Sequence, residues 1–353
     1  MHVHRTDPGS LAGLLSLDDV DHLLTSTALR TPALRVARNG TVLPGSSFTR
    51  AASLAGQPMT GLVDGQKVLA LFEDGASLVL QGLQRYWPPL ADLVARLEQA
   101  LGHPCQANAY LTPPGSQGFA LHKDTHDVFV FQTHGRKQWE VHDSSGARDV
   151  LMEPGVSMYL PTGTAHAARA LSEASLHVTV GINRITWREL LTRVVADVLA
   201  DDRFDRPLPA GYLDDPTLLG EELAGPLRDL TAALERQQPD ALAHRQATRF
   251  LTSRRPPARG ALRDRIALSG LTDTTELVRR TTTPCVLDAT GDRLRVLLGD
   301  REIRMPHRLR EPMQFIAQHP RLRPCDLADW LDPESRLVLT RRLVREGLLE
   351  VAA

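Results

Sequence analysis

The chain has 353 residues, 42% apolar and 24% charged, with a formal net charge of −1, the profile of a globular protein long enough for two or three domains. That balance excludes a general electrostatic pull toward nucleic acid or an anionic membrane surface. No apolar run approaches the roughly 20 residues that span a bilayer. The N-terminus, MHVHRTDPGS, has no signal-peptide pattern, and Cys105, Cys285 and Cys325 stand apart without a CxxC pair. Neither a disulfide framework nor a structural zinc site is expected, and a reducing cytoplasm is.

The first hundred residues carry mixed structure and no chemical motif. Leu17, Val20, Leu23 and Leu24 form one face of a helix behind Ser16 as N-cap. Residues 30–43 read as two short strands about the turn Arg38-Asn39-Gly40. Asp64 caps a helix that Gly75 ends, 76–81 is a strand, and Pro88-Pro89 opens a helix that stops at Gly102.

From 107 to about 184 the pattern changes to short strands at 107–111, 128–132, 138–142, 157–160, 166–170 and 176–182. Turn residues separate them at Pro113-Pro114-Gly115, Gly135, Ser144-Ser145-Gly146, Pro154-Gly155 and Pro161-Thr162-Gly163. Many short strands at this spacing predict a sandwich or barrel. The turn–strand–turn–His unit ending at His166 suits a double-stranded β-helix of the cupin, or jelly-roll, kind.

After Ile185 the text is helical. Leu190, Leu191, Val194, Val195 and Val198 recur at helical spacing, as do Leu219, Leu223, Leu227, Leu230 and Leu234, and 241–252 is a further helix. Their apolar faces need covering by each other or by a second subunit. The tail predicts strands at 285–288, 294–298 and 302–304, helices at 312–318, 324–330 and 333–345, and a last strand at 348–351. A helical unit ending in a strand resembles a winged-helix module. Its arginines (Arg301, Arg304, Arg308, Arg310, Arg341, Arg342, Arg345) could contact phosphate, yet acids alternate with them. A solvated or subunit-packing surface is the expectation, and nucleic acid is left open.

The chemistry gathers in 108–143. On a strand, His122 and Asp124 point to one face while Lys123 points away. A third ligand must come from elsewhere, and His166 is best placed. Two imidazoles and one carboxylate leave coordination positions open, the facial triad of non-haem Fe(II) oxygenases. Catalytic zinc with such ligands more often comes from a helical HExxH.

The run Asn108-Ala-Tyr110-Leu-Thr-Pro-Pro-Gly-Ser-Gln-Gly, then His122-x-Asp124, Phe129-Val130-Phe131-Gln132, Gly135-Arg136-Lys137-x-Trp139 and Pro154-Gly155…Tyr159-Leu160-Pro161…Gly163…His166 resembles the JmjC-type cupins of the ribosomal oxygenase family. The match is dense over about 108–184. The resemblance implies Fe(II) held by His122, Asp124 and His166, with 2-oxoglutarate as co-substrate. Its distal carboxylate would lie on Lys137, with Tyr110 and Asn108 lining the same pocket. It also implies hydroxylation of a side chain of a ribosomal protein, a homodimer built on the helical region, and a C-terminal winged-helix unit. Lys123 departs from the apolar or aromatic residue usual between the ligands.

Lys137 has independent support. Only three of the 41 basic residues are lysines, Lys67, Lys123 and Lys137. A compact ammonium on a thin stem enters a narrow barrel where a guanidinium needs a wider fork, and a buried carboxylate needs a charge partner. Thr179 could donate to the co-substrate, and His177 is expected as a hydrogen-bonded inner-face residue with a spare-ligand role held open. His126, His134 and His142 read as surface or rim residues, and Arg136 is expected to pair on the outside. The predicted organisation is a catalytic cupin over 1–185 with flanking helices, a helical dimerisation region over 186–280, and a winged-helix-like domain over 281–353. The predicted function is 2-oxoglutarate- and Fe(II)-dependent hydroxylation of a protein side chain. The alternatives are a hydroxylase of another peptide or small molecule, and a silent cupin acting as a binding or DNA-associated regulator.

Overall fold

A computed structural model of the chain describes residues 1–143, 146–289 and 291–352. The turns expected at Ser144-Ser145 and at Thr290 lie outside them. The chain divides into two compact units, Met1–Arg184 and Ile185–Ala353.

The first unit runs β1 (His2–Arg5), α1 (Leu17–Thr25), β2 (Leu34–Arg38), β3 (Thr41–Val42), β4 (Thr49–Leu54), β5 (Gln57–Val63), α2 (Gly65–Glu73), β6 (Ser77–Gln81) and α3 (Pro88–Leu101). It continues with β7 (Cys105–Thr112), β8 (His122–Lys123), β9 (Asp127–His134), β10 (Lys137–Asp143), β11 (Gly146–Met152), β12 (Val156–Leu160), β13 (Ala165–Ala170) and β14 (Ser175–Ile182). The local signals act as read: the Ser16 and Asp64 side chains accept from backbone N–H groups three residues on, and Gly102, at φ +67°, ends α3 in the left-handed conformation that only glycine adopts freely.

An eight-stranded sheet, β1-β12-β9-β14-β7-β6-β2-β3, faces a four-stranded one, β11-β10-β13-β8. This is the expected double-stranded β-helix. Alternation along β7 and β14 decides what each face does. Ala107, Ala109 and Leu111 pack with Leu176, Val178 and Val180 on the outer face, under Val20, Val68, Leu90 and Val94 of α1–α3. The inner face of the same two strands carries Asn108, Tyr110 and Thr112 opposite Thr179, His177 and Ser175. Between the sheets an apolar floor forms from Val128, Val130, Trp139, Met152, Met158 and Leu160.

The second unit contains α4 (Trp187–Leu199), α5 (Thr217–Glu235), α6 (Pro239–Thr252) and α7 (Ala261–Ala267), then β15 (Leu277–Arg279), β16 (Val286–Asp288), β17 (Leu294–Leu297), β18 (Glu302–Met305), α8 (Arg310–Gln318), β19 (Arg321–Leu322), α9 (Pro333–Arg345) and β20 (Leu349–Val351). It holds two three-stranded sheets, β19-β15-β20 and β16-β17-β18. The helix expected at 324–330 is only a 3₁₀ turn, Pro324–Leu327. The carboxylate of Asp332 caps α9 by accepting from Glu334 and Ser335 N–H. Several tail arginines are neutralised in place, Arg304 by Glu302, Arg301 by Asp300 and Arg342 by Glu346. No described helix is long and apolar enough to cross a membrane.

Candidate active site

A cavity of about 190 Å³ opens between the two sheets of the first unit, lined by His122, Asp124, His166, Lys137 and the inner faces of β7 and β14. His122 and His166 are direct cross-strand partners on β8 and β13, with ring centroids 4.4 Å apart. One ligand atom from each of His122, Asp124 and His166 falls within 4.8 Å of the others, the one such three-residue cluster among the described residues. The backbone fixes the tautomers. His122 Nδ1 lies 2.9 Å from Ala120 O and His166 Nδ1 3.0 Å from Thr164 O. A carbonyl only accepts, so Nδ1 of each ring carries the proton and Nε2 presents a lone pair. Those Nε2 atoms sit 3.9 Å and 3.6 Å from the Asp124 carboxylate. Burial, and the neighbouring His122, hold the pKa of His166 below the ordinary imidazole value against the pull of Thr164 O and Asp124. Two imidazoles that turn Nε2 toward one carboxylate fit a divalent cation.

Asp127 is a residue that sequence reasoning passed over. It is 6% exposed and accepts from Tyr159 Oη at 2.9 Å and from Thr162 N at 2.8 Å, with Arg184 at 3.6 Å. The turn it anchors, Pro161-Thr162-Gly163, leads into His166, and Gly163 N donates to Asp124 O. One buried carboxylate therefore ties both halves of the ligand set together. Asp127→Asn is expected to lower Co(II) or Fe(II) affinity by roughly 10- to 100-fold. Titration of the metal into the purified variant checks it.

Lys137 is 3% exposed. Its Nζ donates to Thr112 Oγ1 at 2.8 Å and meets His177 Nδ1 at 3.3 Å, and Ser77 Oγ reaches Thr112 Oγ1 at 3.1 Å. No carboxylate pairs with it among the described residues. Burial alone pulls its pKa from 10.5 to about 7. An ammonium enclosed with only a hydroxyl and an imidazole is an incomplete arrangement, and a ligand carboxylate completes it. His177 stacks on Tyr110 (centroids 4.9 Å apart, planes 2° apart), and burial, with the Lys137 charge behind it, holds its pKa well down. It lies outside the three-residue cluster and serves Lys137 instead, as a hydrogen-bonded inner-face histidine. Thr179 and Asn108 pair across β14 and β7. Asn108 Oδ1 accepts from Gly82 N and Gln106 Nε2, which leaves its NH₂ group as the free donor. Lys123 is exposed and directed away, Arg136 pairs with Glu173 at 3.1 Å on the outside, and His142 with Glu140 at 2.6 Å. His126 lies on the cavity wall against Gly181, where a Cβ would come within 2.6 Å of its ring.

Comparison with known proteins agrees with this geometry. Residues 84–148 and 142–190 match the JmjC domain family. The chain is 35% identical over 203 residues to the bifunctional lysine-specific demethylase and histidyl-hydroxylase NO66 of Branchiostoma floridae, covering 53% of this chain and 33% of that protein. It is 32% identical over 220 residues to ribosomal oxygenase 1 of Gallus gallus, covering 56% and 35%. The chain thus spans about a third of the length of these relatives. Among solved structures, YcfD, a ribosomal oxygenase from Escherichia coli, superposes over 100% of this chain and 95% of its own with a TM-score of 0.55 at 20% identity. YcfD has also been solved with cobalt and 2-oxoglutarate. The fold and the triad together define a metal-binding cupin. More particularly, residues 84–190 of this cupin are similar to JmjC domains, and the relatives that share the similarity include ribosomal oxygenases.

Proposed function

We propose that the protein is a 2-oxoglutarate- and Fe(II)-dependent oxygenase that hydroxylates a side chain of a ribosomal protein. The observation that carries this reading is the pairing, in one cavity, of the His122, Asp124 and His166 donors with the enclosed Lys137 ammonium. His122, Asp124 and His166 would hold Fe(II), and Lys137 the distal carboxylate of 2-oxoglutarate, with Thr112 fixing the ammonium. Tyr110, Asn108 and Thr179 line the same pocket as hydrogen-bonding groups. Bound Fe(II) supplies the redox chemistry by which O₂ oxidises 2-oxoglutarate to succinate and CO₂ and hydroxylates a substrate C–H bond. The protein's part is orientation and dryness. Val128, Val130, Leu160 and Trp139 line the cavity with apolar surface, and the Nδ1–carbonyl contacts hold both imidazoles in the tautomer that binds a cation.

The test is succinate formation from 2-oxoglutarate with Fe(II) and a ribosomal-protein extract, wild type against His122→Ala. The reading requires extract-stimulated succinate from the wild type alone. Folded protein that binds neither metal nor 2-oxoglutarate would instead support a silent cupin.

Dimerisation through 186–280 and a winged-helix-like module over 281–353, to which β15 adds a strand, complete the proposal, together with a cytoplasmic location. α5 buries no side chain, and Leu223 and Leu227 on it are 45% and 52% exposed, as is Leu191 of α4 at 55%. A contiguous apolar face of that kind calls for a partner. Leu223→Glu with Leu227→Glu is expected to convert the dimer to a monomer in sedimentation equilibrium while metal affinity persists.

A further inference from the structure

The cavity holds a second cation that the proposed chemistry leaves unused. Arg35 of β2 lines it, and its Nε is buried without a hydrogen-bond partner. No carboxylate pairs with it among the described residues. Its place follows from register: Arg35 lies opposite Val79, Val79 opposite Tyr110, and Tyr110 opposite His177. The row therefore runs from His177, which meets the Lys137 ammonium from the facing sheet, to Arg35, three strand spacings or roughly 14 Å at the Cα atoms. The two cations address different parts of the cavity. Burial raises the pKa of the Tyr110 phenol; the Arg35 charge opposes that rise and the Asp124 charge adds to it. Lys137, by contrast, responds to burial alone.

We propose that Arg35 is a specificity-determining residue that binds a carboxylate of the primary substrate, an acidic side chain at or beside the hydroxylated residue. This rests on the oxygenase reading above. Asp124 is committed to the metal ligands and Lys137 to the co-substrate's distal carboxylate, so Arg35 is the charge left without a counterpart. Its orphaned Nε–H belongs to the planar edge that matches a carboxylate with two parallel hydrogen bonds. Tyr110, whose phenol responds to the charges of both Arg35 and Asp124, connects Arg35 with the side of the cavity at which the metal would meet a substrate.

The test uses the full chain loaded with Zn(II), which is diamagnetic and redox-inert, and reads arginine Nε–H resonances by NMR. The Arg35 signal is the one missing from Arg35→Lys. With 2-oxoglutarate saturating, acetyl-Gly-Asp-Gly-amide is expected to shift that signal saturably, and acetyl-Gly-Asn-Gly-amide to bind at least about tenfold more weakly. Saturable shifting by 2-oxoglutarate alone, with no further response to the aspartyl peptide, would assign the carboxylate to the co-substrate and overturn the proposal. A signal indifferent to both would overturn it as a merely solvated arginine. On any ribosomal-protein peptide that the wild type hydroxylates, Arg35→Gln is expected to lower kcat/KM by at least about tenfold, and changing the peptide's acidic residue to its amide should add no further loss in the variant. Failure of the oxygenase reading appears separately, as absence of succinate formation by the wild type, and leaves the NMR result interpretable.

Discussion

Asp124→Asn is expected to abolish metal binding and with it all metal-dependent 2-oxoglutarate oxidation. The loss should exceed the roughly 100-fold that follows removal of a group merely supporting a ligand. The reason lies in the charge inventory of the triad. Each Nδ1 is engaged by a backbone carbonyl, Ala120 O or Thr164 O, and an imidazole that ligates through Nε2 brings no charge to a cation. Asp124 is therefore the sole anion facing a dication. The amide is isosteric, and the backbone tie from Gly163 N to Asp124 O does not involve the side chain. With its side chain about a third exposed, the substitution should change metal-free stability by no more than about 0.5 kcal/mol. Co(II) titration followed by its visible spectrum, beside a thermal melt of the metal-free protein, separates a lost ligand from a lost fold.

Lys137→Met should act in two opposite directions. Co-substrate affinity should fall by about two orders of magnitude or more, since truncating one partner of a buried charge pair costs roughly 3–5 kcal/mol. The metal-free, ligand-free protein should become more stable. The folded pKa of about 7 lies below the unfolded value near 10.4, so between those limits the unfolded chain binds more protons and this lysine's destabilisation shrinks as pH rises. Near neutrality it is still on the order of 4–5 kcal/mol, which methionine removes while filling much the same space. Wild-type co-substrate binding should carry the same signature. Below pH 7 the ammonium is already present and affinity is flat in this group. Above pH 7 binding must take up a proton, and Kd should rise by up to about tenfold per pH unit. Calorimetry of 2-oxoglutarate binding in buffers of different ionisation enthalpy reads that proton directly, and a binding curve flat from pH 6 to 9 would rule it out.

The parts of the fold that could be read from sequence are those whose residues must satisfy two environments at once. β7 and β14 alternate because one face packs under helices and the other lines the cavity, and their inward polar residues Asn108, Tyr110, His177 and Thr179 stand out for that reason. Strands that bury little left no such trace. β1 is exposed throughout, β4 buries no residue, β5 buries only Leu62 and Val63 at its end, and β11 is a sheet edge that begins with the exposed Gly-Ala-Arg-Asp. None of them was anticipated. The clustering of His122, Asp124 and His166 and the cavity position of Lys137 were legible through spacing, rarity and family resemblance. Arg35 and Asp127 were not, because an arginine in a chain rich in arginines and an aspartate beside several others gain meaning only when register brings them to the cavity and to the His166 turn. Gly181 was invisible for the same reason. Its use is the room it leaves for the ring of His126.

Mass spectrometry of ribosomal proteins incubated with the Fe(II)-loaded protein, 2-oxoglutarate and ¹⁸O₂ tests the proposed hydroxylation. One ¹⁸O atom is expected in a single side chain, matched one for one by succinate and absent with Asp124→Asn. Metal-loaded, folded wild-type protein that forms no succinate, or forms it without labelling any protein, would contradict it.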